Sequence, residues 1–267
     1  MAHSLLALML FQAFVLIAAM MVMTWIISLR MKNAGIVDIA WSAFFSLLVV
    51  SYAVFGEGFT PRKVLITMMV CLWSLRLTFH LYRRLKGLHP VEDARYAELR
   101  KSWGPHPDYR FLAFFELHGA INLLLSIPFA LVCLNTTPEL SPLELVAAGL
   151  WLIATLGEAK SDQQLDRFKN DLQNRGKTCS IGLWKYSRHP NYFFEWLIWC
   201  SFFLFALASP WGWVTVYCPV LIFLLLTRVT GIPMAEEQSL KSRGDEYRAY
   251  QKRTNAFFLW FPKKEQV

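Results

Sequence analysis

Several side chains that can donate, accept or carry protons stand inside runs made otherwise of Leu, Ile, Val, Phe and Trp. Asp38 and Trp41 lie one helical turn apart at the start of one such run. Arg76 and His80 share a helical face at i, i+4. Arg110 opens another run that holds Glu116, His118 and Asn122, and Glu158, Asp162 and Asp166 form an i, i+4 row. Asn191, Glu195 and Trp199 repeat that row, and Thr227–Arg228 close the last run. Ionisable groups in apolar segments are costly and commonly face an internal cavity. Any one of them could instead pair with a neighbour as glue between helices. Together they describe a polar cavity able to hold a charged ligand beside an apolar one.

A second constellation lies in a basic loop. Glu92-Asp93-Ala94-Arg95-Tyr96, then Leu99-Arg100-Lys101-Ser102-Trp103-Gly104, interleaves carboxylates, guanidinium groups and aromatic rings. That mixture suits a nucleotide: a carboxylate for ribose hydroxyls, Arg and Lys for phosphates, a ring face for the base. Asp93, Arg95, Tyr96 and Trp103 are the residues this assigns to a cofactor. An amphipathic interfacial helix is the competing reading.

The elements that must carry these groups are membrane spans. The 267 residues are 55% hydrophobic and 17% charged, with a mean hydropathy of +0.36, whereas soluble domains carry about 25% charged residues. That composition argues against a soluble globular enzyme and against disorder. Seven runs are long and apolar enough to be spans: 5–28, 36–55, 64–82, 111–134, 143–157, 192–208 and 213–229. The fifth is short unless its helix continues through Glu158, Asp162 and Asp166. The first is too long for a signal peptide and lacks a basic leader, so it reads as a retained span. Basic residues number two on 30–32, seven on 83–110, six on 167–188 and eight on 228–264, so 23 of 27 share one side of seven alternating spans. The opposite side has Arg62 and Lys63. The expected fold class is all-α: a polytopic protein with seven transmembrane helices, the N-terminus outside and the C-terminus cytosolic. Residues 1–267 read as one membrane domain with cytosolic loops 83–110 and 167–190 and a cytosolic tail 230–267. Topology explains most of the +8 charge, so no nucleic acid is called for, and no obligate protein partner is evident. The five cysteines form no CxxC, which indicates neither a zinc site nor a disulfide framework.

Two segments are specific. One runs Gly157-Glu158-x-x-x-Asp162-x-Gln164…Phe168-Lys169, then Gly182-Leu183-Trp184…Tyr186-Ser187-Arg188-His189-Pro190-Asn191-Tyr192…Glu195. The other is Glu236-Glu237…Tyr247…Tyr250…Arg253-Thr254-Asn255…Pro262. Together they resemble the steroid 5α-reductase superfamily, most closely its bacterial branch, strongly over about 150–262 and more loosely from 36 to 135. Membrane methyltransferases that use S-adenosylmethionine carry a similar Arg-His-Pro-x-Tyr and Glu-Glu pattern. The Gly-Glu-x-x-x-Asp-x-Gln…Phe-Lys segment favours the reductases, as does Asn191 with Glu195 on the next span.

The resemblance implies seven helical spans, NADPH in a cytosol-facing cavity and reduction of a carbon–carbon double bond conjugated to a ketone. It implies a multi-pass protein of a bacterial inner membrane, or of the endoplasmic reticulum in a eukaryote. Asp162 and Asn191 fall where the family's motifs place adenosine and nicotinamide contacts. Glu195 and Arg110 fall at a buried carboxylate–guanidinium pair, and Arg228 where an arginine binds cofactor phosphate. Lys169 stands where human-type enzymes have arginine, Glu158 where they have asparagine, and Trp73 where they have tyrosine. Tyr186, Arg188, His189, Glu237, Tyr250, Arg253 and Asn255 complete the motif residues assigned to the cofactor. Human-type enzymes polarise the substrate ketone with a span-2 glutamate paired to that tyrosine. Asp38 best matches the acid here, and its hydroxyl partner is missing from the expected position. The only Gly-x-Gly, Gly56-Glu57-Gly58, has no βαβ context, so a dinucleotide would sit among helices and basic loops rather than on a Rossmann fold.

Enone reduction asks for a hydride at the β-carbon, an acid to stabilise the enolate oxygen and a proton at the α-carbon. A carboxyl group can do the second job only when protonated, which burial favours. Asp38 is assigned this role, with Glu195 as the alternative and Trp73 beside it. Trp41, Phe114, His118 and Trp199 are the expected walls for a rigid hydrophobic substrate entering from the bilayer. A methyltransferase and a non-enzymatic lipid-binding protein are the other two classes open to this sequence.

Overall fold

The computed structural model describes residues 2–88 and 91–263. Positions 89–90 of the basic loop and 264–267 of the tail lie outside them. All regular structure among the described residues is helical. Among the described residues six helical segments are long and apolar enough to cross a membrane: Ser4–Met31, Ile36–Phe55, Thr60–Gly87, Pro107–Leu134, Pro142–Asn170 and Gly212–Arg243. This is a multi-pass membrane protein, with six such segments where the sequence suggests seven. The expected span at 192–208 folds as α7 (Pro190–Ala206), 17 residues long. At 1.5 Å per residue that is about 25 Å, short of the roughly 30 Å hydrocarbon core.

The chain forms two compact units. The first comprises Met1–Ser141 with Ala208–Gly212 and contains α1 (Ala2–Met31), α2 (Ile36–Phe55), α3 (Thr60–Leu88), α4 (Ala94–Ser102) and α5 (Pro107–Leu134). Helix α1 packs on α5 and α2, and α2 packs on α3 and α5. Phe45, Trp73, Phe115 and Phe129 fill the interior, with the Tyr52 hydroxyl on Ser126 at 2.9 Å. The outer faces of α1 and α3 expose Phe11, Phe14, Leu72, Leu75 and Phe79, which suits lipid and would be a liability in water. Gly56 and Gly58 let the turn after α2 press against the Cys133 carbonyl at the end of α5; a side chain at either would collide with it. Gly58 N donates to Cys133 O (2.8 Å) and Phe59 N to Asn135 O (2.9 Å). The Gly-x-Gly is therefore a close backbone approach. Arg62, fully buried, donates to the carbonyls of Asn135, Thr137 and Glu139, and Lys63 Nζ to Gly56 O at 2.8 Å. Both cations thus sit at helix C-termini, where exposed carbonyls favour positive charge.

The second unit comprises Pro142–Leu207 and Trp213–Val267. Its helices are α6 (Pro142–Asn170), α7, α8 (Tyr217–Leu224), α9 (Ile232–Arg243) and α10 (Asp245–Arg253), with a π-turn at Leu225–Val229. Helix α6 runs 29 residues, so the short fifth run does continue through Glu158, Asp162 and Asp166. Gly157 lets α7 lie close: a Cβ there would strike the Phe194 ring. The 3₁₀ turn Gly182–Lys185 is pinned to α6 by Leu183 N on Gln164 Oε1 (2.9 Å) and Trp184 Nε1 on Ser161 O (3.0 Å).

Candidate active site

In the first unit the polar residues converge at the start of α2. Asp93 caps α4 by accepting from Arg95 N at 3.0 Å. This capping turns Arg95 and Tyr96, the first residues of α4, toward Asp38 in the first turn of α2. Arg95 Nη2 donates to Asp38 Oδ2 (2.8 Å), and the Tyr96 hydroxyl donates to Asp38 Oδ1 (2.6 Å). Arg95 also grips Asp93 through Nε (3.0 Å), and Arg84 reaches the same carboxylate at 2.9 Å. Burial would raise the Asp93 carboxyl, but its hydrogen bonds and charge contacts with Arg95 and the nearby Arg84 hold it below the usual carboxylate range. Burial first, then the Asp38 charge, pushes the Tyr96 phenol well above its ordinary value, so at neutral pH it is a hydrogen-bond donor.

Both Asp38 oxygens are thus acceptors, and Tyr96 supplies a hydroxyl beside the span-2 acid. Trp73 occupies the position expected for that partner and lies fully buried, its ring 5.4 Å from Phe45. An aromatic wall adjoins Tyr96: Phe114 is 6.2 Å away, and Phe114 in turn meets Trp103 (6.0 Å) and His118 (4.4 Å). His118 Nδ1 donates to Phe114 O (2.8 Å), and Trp41 packs edge-on against Phe45 at 5.0 Å while its carbonyl accepts from Asn122. Arg110 is exposed on the first turn of α5. Two further loop charges are met within the unit: Glu92 binds Arg100 (3.0 Å) and accepts from Ala34 N (2.8 Å).

In the second unit Asp162 on α6 and Asn191 on α7 face each other, Asn191 Nδ2 donating to Asp162 Oδ1 at 3.3 Å. Asp162 is buried, and Asn191 Oδ1 is buried without a hydrogen-bond partner among the described residues. An unmet buried acceptor costs about 1–3 kcal/mol. One turn along α7, Glu195 accepts from Trp199 Nε1 at 3.0 Å. Lys169 is exposed at the end of α6, and Arg228 is exposed on the π-turn.

Most of the remaining motif residues form a latch. Arg188 Nε donates to Glu236 (2.6 Å) and Nη1 to the carbonyls of Gln251 and Thr254, while Arg188 N donates to Asn255 O (2.8 Å). His189 Nε2 meets Glu236 at 3.3 Å, and its ring stacks on Tyr192. Burial, opposed by Glu236, lowers the His189 pKa. Tyr250 donates to the carbonyls of Trp184 and Ser187. Tyr186 O accepts from Trp260 N (3.0 Å), and Arg253 O accepts from Lys263 N (2.8 Å). These contacts tie the 182–190 loop to α9, α10 and the tail. Glu237, assigned to the cofactor from the sequence, points outward to Lys241 (2.6 Å), while Glu236 takes the inner position. Two adjacent acids on a helix face about 100° apart, and only the helix phase tells which is inside. Among the described residues no three His, Cys, Asp or Glu side chains are grouped to hold a metal ion.

A family model described as "Protein of unknown function (DUF1295)" matches residues 24–254. An uncharacterized protein of Schizosaccharomyces pombe is 28% identical, the match covering 88% of this chain and 75% of that protein. No solved structure matches.

Proposed function

The chain belongs to the DUF1295 family, and from that premise we propose that it is an NADPH-dependent membrane reductase. It reduces the double bond of a 3-keto-Δ4 steroid or a similar hydrophobic enone drawn from the bilayer, as steroid 5α-reductases do. In this reading α7 is the sixth of seven spans, and the basic loops put the C-terminus in the cytosol.

The observation that carries the reading is the hydrogen bond from the Tyr96 hydroxyl to Asp38 at 2.6 Å. It supplies a carboxylate–phenol pair at the start of the second span, built with a tyrosine from α4. A ketone oxygen that takes the place of the Asp38 oxygen receives the Tyr96 proton's hydrogen bond as enolate charge develops. Arg95 meanwhile keeps the Asp38 charge paired. Tyr96 is thus the polarising donor, and Asp38 holds its hydroxyl in place until the ketone arrives. The aromatic wall of Phe114, Trp103 and His118 takes the flat apolar body and keeps water away.

The residues present fit a nicotinamide. Asn191 Oδ1 is an unmet buried acceptor, and a carboxamide NH₂ is a donor of matching size. Asp162 holds the other end of Asn191 and so fixes which way the amide points. When bound, NADPH supplies the hydride to the β-carbon. Arg228, exposed on the π-turn of the same unit, is the cation this reading assigns to a cofactor phosphate.

The test is to purify the chain in detergent and follow NADPH consumption with a 3-keto-Δ4 steroid, alongside melting curves with NADPH or S-adenosylmethionine. A ligand at 100 times its Kd adds about 2.7 kcal/mol. Turnover with stabilisation by NADPH alone supports the reductase. Stabilisation by S-adenosylmethionine alone would make the protein a methyltransferase, and stabilisation by neither would leave a lipid-binding role.

A further inference from the structure

On the face where α1 meets α5, away from Asp38, the first unit carries a groove of about 440 Å³. Small residues make it. Gly119 is the point of closest approach, where a Cβ would press on Ile17 and Met21 of α1. Beside that contact Ala18 and Ala120 leave space between larger neighbours. Phe14, Ile17, Leu123 and Ile127 wall it with hydrocarbon, and Glu116, one turn before Gly119, contributes its carboxyl. Glu116 Oε1 is buried and has no hydrogen-bond partner among the described residues. It lies nine residues into α5, about 14 Å from the basic end of that helix.

We propose that this groove binds a single-chain lipid whose headgroup donates hydrogen bonds, a long-chain alcohol or amine, with Glu116 receiving the head. Phe11 and Phe14 are exposed on the same helix, so this face meets lipid, and the occupant comes from the bilayer. The volume accommodates roughly 15 water-sized groups at about 30 Å³ each, the size of one alkyl chain and too little for a two-chain phospholipid. An acidic group amid hydrocarbon complements a hydroxyl or ammonium and disfavours a carboxylate head. A ketone presents only acceptors, so the enone of the proposed reaction matches this groove poorly.

The full chain in phosphatidylcholine nanodiscs is titrated with hexadecan-1-ol, hexadecylamine, palmitic acid and progesterone, with melting temperature as the readout. The alcohol, the amine or both should raise it by about 5 °C or more at saturation, and palmitic acid should not. A response to the amine alone assigns the head as ammonium; a response to the alcohol alone assigns it as hydroxyl. Glu116→Leu removes the acceptor and Ala120→Phe fills the groove, and each should abolish the rise. Should Glu116→Leu fail to fold, Ala120→Phe carries the test. No rise with either probe, or a rise that survives both variants, overturns the proposal. So does a progesterone-dependent rise that Glu116→Leu abolishes, because the groove would then take the enone.

Discussion

Replacing Tyr96 with phenylalanine removes one hydroxyl and leaves the ring among Phe114 and Arg95. The lost hydrogen bond reaches a carboxylate at 2.6 Å from a side chain that is 4% exposed. A bond of that kind contributes about 1.5–3 kcal/mol to stability, so the variant should melt lower yet stay folded. If Tyr96 also donates to the enolate oxygen, its removal costs the transition state about 2.7–4 kcal/mol, a fall of about 10²–10³ in kcat. Initial rates of NADPH oxidation with a 3-keto-Δ4 steroid, over a range of steroid concentrations, separate the two effects. Asp38→Asn keeps an acceptor for the phenol and should lose less. A folded Tyr96→Phe protein whose kcat falls less than tenfold would refute the assignment. So would a raised KM with unchanged kcat, the mark of an interaction made equally in ground and transition states.

Four further outcomes are expected. Asn191→Ala should abolish the thermal stabilisation by NADPH while the ligand-free protein melts within a few degrees of wild type; a full NADPH shift would displace the nicotinamide from Asn191. Glu236→Gln leaves Arg188 short of its charge partner and should cost about 3 kcal/mol, read by denaturation, whereas Glu237→Gln should leave the melting temperature unchanged. Gly157→Ala drives a methyl into Phe194 and should destabilise by about 1–3 kcal/mol, lowering Tm by about 2–4 °C for each. The folded pKa of Asp93 lies below the unfolded value of about 3.9, so its contribution is complete above that value. It is lost as pH falls through the folded pKa. Melting curves between pH 2.5 and 6 should show a flatter acid limb in Asp93→Asn than in wild type.

Most of the helices could be read from hydropathy, because a lipid-facing segment must be apolar all along its length. The continuation of α6 through Glu158, Asp162 and Asp166 was legible from their spacing. The shortness of α7 was legible too, since its apolar run 192–208 counts the same 17 residues as the helix Pro190–Ala206. Facing pairs on neighbouring helices, such as Asp162 with Asn191, lie inside recognisable motifs. The Tyr96–Asp38 bond was hidden because it spans 58 positions and depends on how the α4 cap turns the loop. The same loop offered carboxylates and guanidinium groups that looked free for a nucleotide. In the folded chain Asp93, Glu92, Arg95 and Arg100 largely satisfy one another, a pairing that composition does not reveal.

The latch also sets a timetable for making the protein. Arg188 and His189 leave the ribosome well before the groups that hold them, since the backbone partners of Arg188 and Ser187 extend to Asn255 and Phe257. At about 5–20 residues per second, those roughly 70 residues take on the order of 4–14 s to synthesise. Through that interval the turn before α7 stays untied. The docking of α9, α10 and the aromatic segment behind them is therefore a late step of biogenesis. Phe257, buried against Phe193, Trp196 and Phe223, closes the second unit only once those residues have been made.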